Sequence, residues 1–158
     1  SLLKSIEEKK ALLDRLRPFP PAALKRLREQ IVVEWTFNSN AIEGNTLTLR
    51  ETALVLNEGL TISGKPLREH LEAVNHKDAI LELEKVVAKK TDLTEEGIKA
   101  LHKIILKGID DAEGGFYRRQ RVRILGARHI PPDPVKISFQ MKECMAWYGR
   151  SQGKLRLY

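Results

Sequence analysis

Few residues in this chain are placed to do chemistry, and the first of them is a lone acid. Glu43 stands in the stretch FNSNAIEGNTLTL, with small and amide residues before it and Gly44 directly behind. A helix end would account for the glycine, which turns the chain where a Cβ would strain it. It would not account for the acid. Other chemistry is thin. His70 and His76 are six apart, on different faces of one helix, and no HExxH or CxxC pattern occurs, so they read as surface or capping histidines. No GxxxxGK or GxGxxG loop is present to cradle a phosphate. Cys144 falls on an apolar helical stripe and reads as core rather than nucleophile. Spacing therefore assigns no catalytic residue and no metal ligand.

The elements that must position Glu43 are helical. Leu2, Leu3, Ile6, Leu12, Leu13 and Leu16 space as an amphipathic first helix, which RPFPP stops. A second helix starts after Pro21, carries Leu24, Leu27, Ile31 and Trp35 on one face, and runs to the acid. Thr48 with Glu51 three residues on is a capping box, which predicts a helix from Leu49 to about Asn57–Gly59. Pro66 opens the longest periodic segment, with Leu67, Leu71, Val74, Leu81 and Val86 as its apolar positions. Asp92 or Thr94 caps a helix bearing Ile98, Leu101, Ile104 and Ile105, closed by Gly108.

Beyond Gly108 the pattern changes. Arg121-Val122-Arg123-Ile124 alternates with period two inside a glycine-bounded segment, which predicts a short β-hairpin ended by Pro131 and Pro132. Asp133-Pro134 then caps a last helix with Ile137, Met141, Cys144 and Tyr148 on one side. The fold class is all-α with one short hairpin.

The 158 residues suffice for one domain with its own core and make two full domains unexpected. A single cysteine excludes an internal disulfide framework and fits a reducing compartment. No apolar run approaches the roughly 18 residues that cross a bilayer, and SLLKSIEEKK is too charged for a signal peptide, so a cytoplasmic location is expected. The net charge of +7 raises nucleic acid as a partner. Acids are interspersed with bases through residues 4 to 103, and the excess sits late, in YRRQRVRILGARH and GRSQGKLR. A solvated basic surface is therefore expected instead, with no nucleic-acid role.

Two separated segments, in order, carry a family resemblance. Ser39-Asn40-Ala41-Ile42-Glu43-Gly44 fits the pattern Ser or Thr, three residues, Glu, then Gly or Asn. It resembles the inhibitory motif of Fic-family protein AMP-transferases, in the class where that motif precedes the rest of the domain. GFYRRQRVRILGARHIPPDPVKISFQMKECMAWY resembles the family's flap hairpin, its Pro-Pro exit and the following helix. The resemblance divides the chain into an N-terminal helical segment, 1–38, and the N-terminal part of a Fic domain, 39–158. It implies transfer of AMP from ATP, with Mg²⁺, to a Ser, Thr or Tyr hydroxyl of a target protein.

The resemblance also implies roles. Ser39, Glu43 and Gly44 would form the inhibitory motif, with Glu43 accepting a charge-assisted hydrogen bond from an arginine of the family's HxFx(D/E)GNGR signature. Tyr117, Arg118, Val122, Ile124 and Gly126, with Pro131 and Pro132 at its exit, would form a flap that positions the target's extended segment by edge pairing. On spacing alone the same residues also read as a capped helix end with an exposed Glu43, and as a structural hairpin with solvated arginines. The signature itself is absent. His70, His76, His102 and His129 are followed by LEA, KDA, KII and IPP. The expectation is a Fic domain cut short before its signature, inactive alone and unable to bind ATP and Mg²⁺ productively. The alternative is a non-catalytic interaction module, docking through the flap or forming a homodimer through an uncovered apolar helical face.

Overall fold

A computed structural model describes residues 2–151. Among these, six α-helices form: α1 (Leu2–Arg15), α2 (Pro21–Ile42), α3 (Leu49–Ala53), α4 (Leu67–Ala88), α5 (Glu95–Leu106) and α6 (Pro134–Ser151). A π-helical turn, Leu54–Glu58, continues α3 and ends on left-handed Gly59. The fold is all-α. The basic tail beyond Ser151 lies outside the described residues.

Local chemistry sets most boundaries. Pro21 opens α2 without needing a backbone donor. Thr48 caps α3 by accepting from the Glu51 N–H, while the Glu51 carboxylate accepts from the Thr48 N–H, a complete capping box. Thr94, not Asp92, caps α5 through the Gly97 N–H. Asp133 accepts from the Val135 N–H at the start of α6.

The core lies where α2, the 45–48 link, α3 with its π turn, and α4 converge. Val33, Leu47, Val55, Leu56 and Ala73 form it, with Ala53 and Ile62 packed against it. Each fully buried aliphatic chain there contributes ~1.5–3 kcal/mol relative to exposure. The buried positions of α4 are Ala73 and Ala79 together with His70, Asn75 and Ile80. The other flank of α4 packs on α5, and α5 in turn on α6.

Several expectations are corrected. The α2 stripe Leu24, Leu27, Ile31 and Trp35 remains about half exposed, because the helix turns Val32, Val33 and Thr36 inward instead. Leu2, Ile6, Leu12, Leu13 and Leu16 are also exposed, since α1 has no substantial packing partner among the described residues. Cys144 is exposed rather than in the core, while Ile137, Met141 and Tyr148 of the same stripe are half-buried. His70 is buried, not a surface histidine: its Nε2 accepts from the Ile62 N–H at 2.8 Å, and its Nδ1 lies 2.9 Å from the Pro66 carbonyl.

The predicted hairpin does not form as a ladder. Among the described residues no strand occurs, and Arg121–Ile124 join no backbone ladder. A turn is present, with the Ala127 N–H donating to the Ile124 carbonyl at 3.2 Å and Gly126 at φ +76°. What closes the loop is side-chain chemistry. Arg118 donates to the carbonyls of Gln120 and Pro132, and Arg121 pairs with Asp133 at 2.6 Å. An isolated two-stranded ribbon is marginal in water, so period-two patterning alone cannot hold the ladder.

Candidate functional site

Glu43 is the C-cap of α2, directly after the helix's last residue, Ile42. The turn behind it is a Schellman motif. The Gly44 N–H donates to the Ala41 carbonyl at 3.1 Å, and the Asn45 N–H reaches the Asn40 carbonyl at 3.0 Å. Gly44 occupies the left-handed position at φ +92°, with nothing near the place of a Cβ. The glycine is therefore required by backbone conformation and not by crowding. Ser39 lies within the last turns of α2, half-buried, and caps no separate helix.

The Glu43 backbone N–H donates to the Asn40 carbonyl, but its carboxylate is exposed and has no hydrogen-bonding or ionic partner among the described residues. It also sits at the negative end of a 22-residue helix. A carboxylate there opposes the helix dipole, at a cost of ~0.3–1 kcal/mol. Local stability gives no reason for this residue.

The link after Gly44 is tied to α4 with unusual density. Asn45 Nδ2 donates to the Glu69 carbonyl at 3.0 Å and to Glu72 Oε2 at 2.9 Å, while its Oδ1 accepts from the Leu47 N–H. The Thr46 N–H and hydroxyl both donate to Glu69 Oε2. Lys65 Nζ reaches the Thr46 carbonyl at 2.6 Å. A cleft of ≈ 270 Å³ opens beside these contacts, bordered by Glu43, Gly44, Asn45, Pro66, Arg68, Glu69 and Glu72. Its three carboxylates do not suit a triphosphate, and no cluster of three metal-ligating side chains occurs among the described residues. Three like-charged groups repel a triphosphate rather than cradle it.

The second group of predicted residues lies in the loop 116–133. Tyr117 packs at its root under Lys99, whose ammonium is 4.3 Å from the ring centroid. Its hydroxyl is buried without a partner of good hydrogen-bond geometry. Burial, followed by nearby Glu95, pushes the phenol above its ordinary range. Just before it, Gly115 at φ +84° places its backbone so close to α5 that a Cβ would stand 3.1 Å from the Lys99 carbonyl. Val122 and Ile124 are exposed, and Pro131 and Pro132 are half-buried at the exit. The Asp133 carboxylate is held below its usual range by the Val135 N–H and then by Arg121. No hydrogen bond or ion pair among the described residues joins this loop to the Glu43 motif.

Sequence reasoning missed the Asn45, Thr46, Lys65, Glu69 and Glu72 network. Asn45 carried the one usable signal, an amide directly after the glycine, where side chains commonly bond the backbone two residues on.

The pattern of the Fic/DOC family matches residues 92–156. Protein adenylyltransferase Fic of Drosophila grimshawi is 31% identical over 150 residues, covering 95% of this chain and 30% of that protein. Its Drosophila melanogaster counterpart is 31% identical over 145 residues, covering 92% and 29%. The chain thus spans about 30% of the length of the curated relatives it matches. Among solved structures, a Fic-domain-containing signaling protein from Bacteroides thetaiotaomicron superposes with a TM-score of 0.85 at 28% identity, covering 97% of this chain and 59% of that one. Caenorhabditis elegans Fic-1 superposes at 0.70 with 27% identity, covering 92% and 44%. The helical frame, the sequence pattern and these relatives agree, and the chain belongs to the Fic family.

Proposed function

We propose that this chain serves AMP transfer from ATP to a Ser, Thr or Tyr hydroxyl of a target protein, as control and target-positioning parts of a Fic domain. Glu43 is the brake and Gly44 its turn, with Ser39 in the helix that aims it. The loop from Tyr117 to Pro132 positions the target. The observation that supports this best is Glu43 itself: an exposed, unpartnered carboxylate at the wrong end of a helix dipole, on a rigidly tied turn. Such a residue is suited to a charge-assisted bond with an arginine brought by another segment. The 158 residues contain no HxFx(D/E)GN sequence. ATP and Mg²⁺ therefore belong to groups these residues do not supply, and this chain transfers no AMP by itself. Incubation with Mg²⁺, labelled ATP and candidate targets tests this. The expected result is no labelling; robust self- or target-labelling overturns it.

A second reading is supported by the exposed apolar surface. Leu2, Leu12 and Leu13 on α1 and Leu16 just after it, with Val135, Phe139 and Trp147 on α6, leave large side chains in water. The chain then acts as a non-catalytic module that dimerises through such a face.

A further inference from the structure

The loop that we read as positioning the target has a composition that narrows its partner. Between Glu113 and Asp133 it carries Arg118, Arg119, Arg121, Arg123 and Arg128 and no acid. Two of these arginines are committed: Arg118 to the carbonyls of Gln120 and Pro132, and Arg121 to Asp133. They shape the loop. Arg119, Arg123 and Arg128 are exposed and have no carboxylate partner among the described residues. The apolar residues between them, Val122, Ile124 and the fully exposed Leu125, face water as well. The backbone of 121–123 makes no hydrogen bond to another backbone group. Its N–H and C=O groups are free for an incoming chain.

We infer that residues 119–128 select an extended partner segment in which acidic side chains alternate with apolar ones. The inference rests on the target-positioning reading of this loop and adds the chemistry of what is positioned. In an extended pairing, successive side chains point to opposite faces, so Arg121 and Arg123 take one face and Val122 and Ile124 the other. Directly opposed residues on each face interact, favouring acids across from Arg123 and aliphatic groups across from Val122 and Ile124. Arg119 and Arg128, flanking the paired stretch, attract the same acids and speed encounter. A basic partner meets like charge on this loop and is rejected.

The test uses the 158-residue chain and short fluorescent peptides built around one serine. One peptide alternates Asp and Glu with Val and Leu, a second replaces the acids by Asn and Gln, and a third gathers the same acids into one block. Anisotropy is expected to give a Kd about tenfold tighter for the alternating peptide than for the amide peptide, since several exposed ion pairs are lost together. The block peptide falls between them, and binding weakens as salt rises. Arg123→Glu removes the preference and Arg123→Lys keeps it, with circular dichroism showing both folded. Equal binding of acidic and amide peptides, or indifference to Arg123→Glu, overturns the inference. So does binding to phosphatidylserine vesicles in place of the peptides, which would make the loop a membrane contact. These readouts need no AMP transfer, so labelling by this chain alone overturns the proposed function while leaving the peptide preference to stand or fall separately.

Discussion

At the residue scale, Glu43 makes a counterintuitive prediction. Glu43→Gln removes a charge that opposes the α2 dipole, so the variant is expected to be more stable by ~0.3–1 kcal/mol in urea unfolding, less so at high salt. A loss of stability would mean that Glu43 has a structural partner after all. Gly44→Ala, by contrast, forces a Cβ into the left-handed position and is expected to cost ~1 kcal/mol. His76 supplies a pH dependence. Its ring is half-buried, with Nδ1 3.1 Å from the Thr36 hydroxyl and Trp35 edge-on at 6.2 Å. Burial lowers its pKa, so the unfolded chain takes up the proton first as pH falls. Stability is therefore full above the unfolded value of about 6.5 and declines below it, until the lower folded value is passed. Thermal unfolding at descending pH should show this slope, and His76→Asn should remove it.

At the element scale, the helix starts were largely legible. Thr48-x-x-Glu51 marks the first turn of α3 because both partners of the reciprocal bond lie within four residues of sequence. Thr48→Ala is expected to cost ~1 kcal/mol, read from the urea midpoint at unchanged slope. What was not legible depended on distance along the chain. His70 looks like any polar helical residue until Ile62 and Pro66 fold over it. The α2 stripe Leu24, Leu27, Ile31 and Trp35 has the period of a core face, yet α3 and α4 select its neighbours Val32, Val33 and Thr36. The same holds for Arg121–Ile124, whose alternation is that of a strand with no second strand among the described residues to pair it. Of the candidate site, Glu43 and Gly44 were readable because the motif is contiguous. The clamp from Asn45 to Glu72 was not, since 27 residues separate its partners.

At the scale of the whole molecule, apolar exposure sets the expected behaviour. Side chains on α1, the N-terminal half of α2 and α6 remain in water together, more than scattered surface residues account for. The chain is expected to self-associate, with light scattering giving a mass that rises with concentration and a hydrophobic dye bound by the folded state. A concentration-independent monomer without dye binding would remove the dimer reading. No described helix is long and apolar enough to cross a membrane.

The clamp between the 45–47 link and α4 has a mechanical side. Asn45 and Thr46 are gripped by Glu69 and Glu72 one turn apart on α4, and Lys65 donates to the carbonyl and hydroxyl of Thr46 in the same link. Glu43 is only two residues upstream of this grip. A displacement of α4 relative to α2 that keeps these bonds would carry the link with it, and with the link the backbone that bears Glu43. Whatever pushes on α4 from outside thereby has a short, stiff lever on the acid.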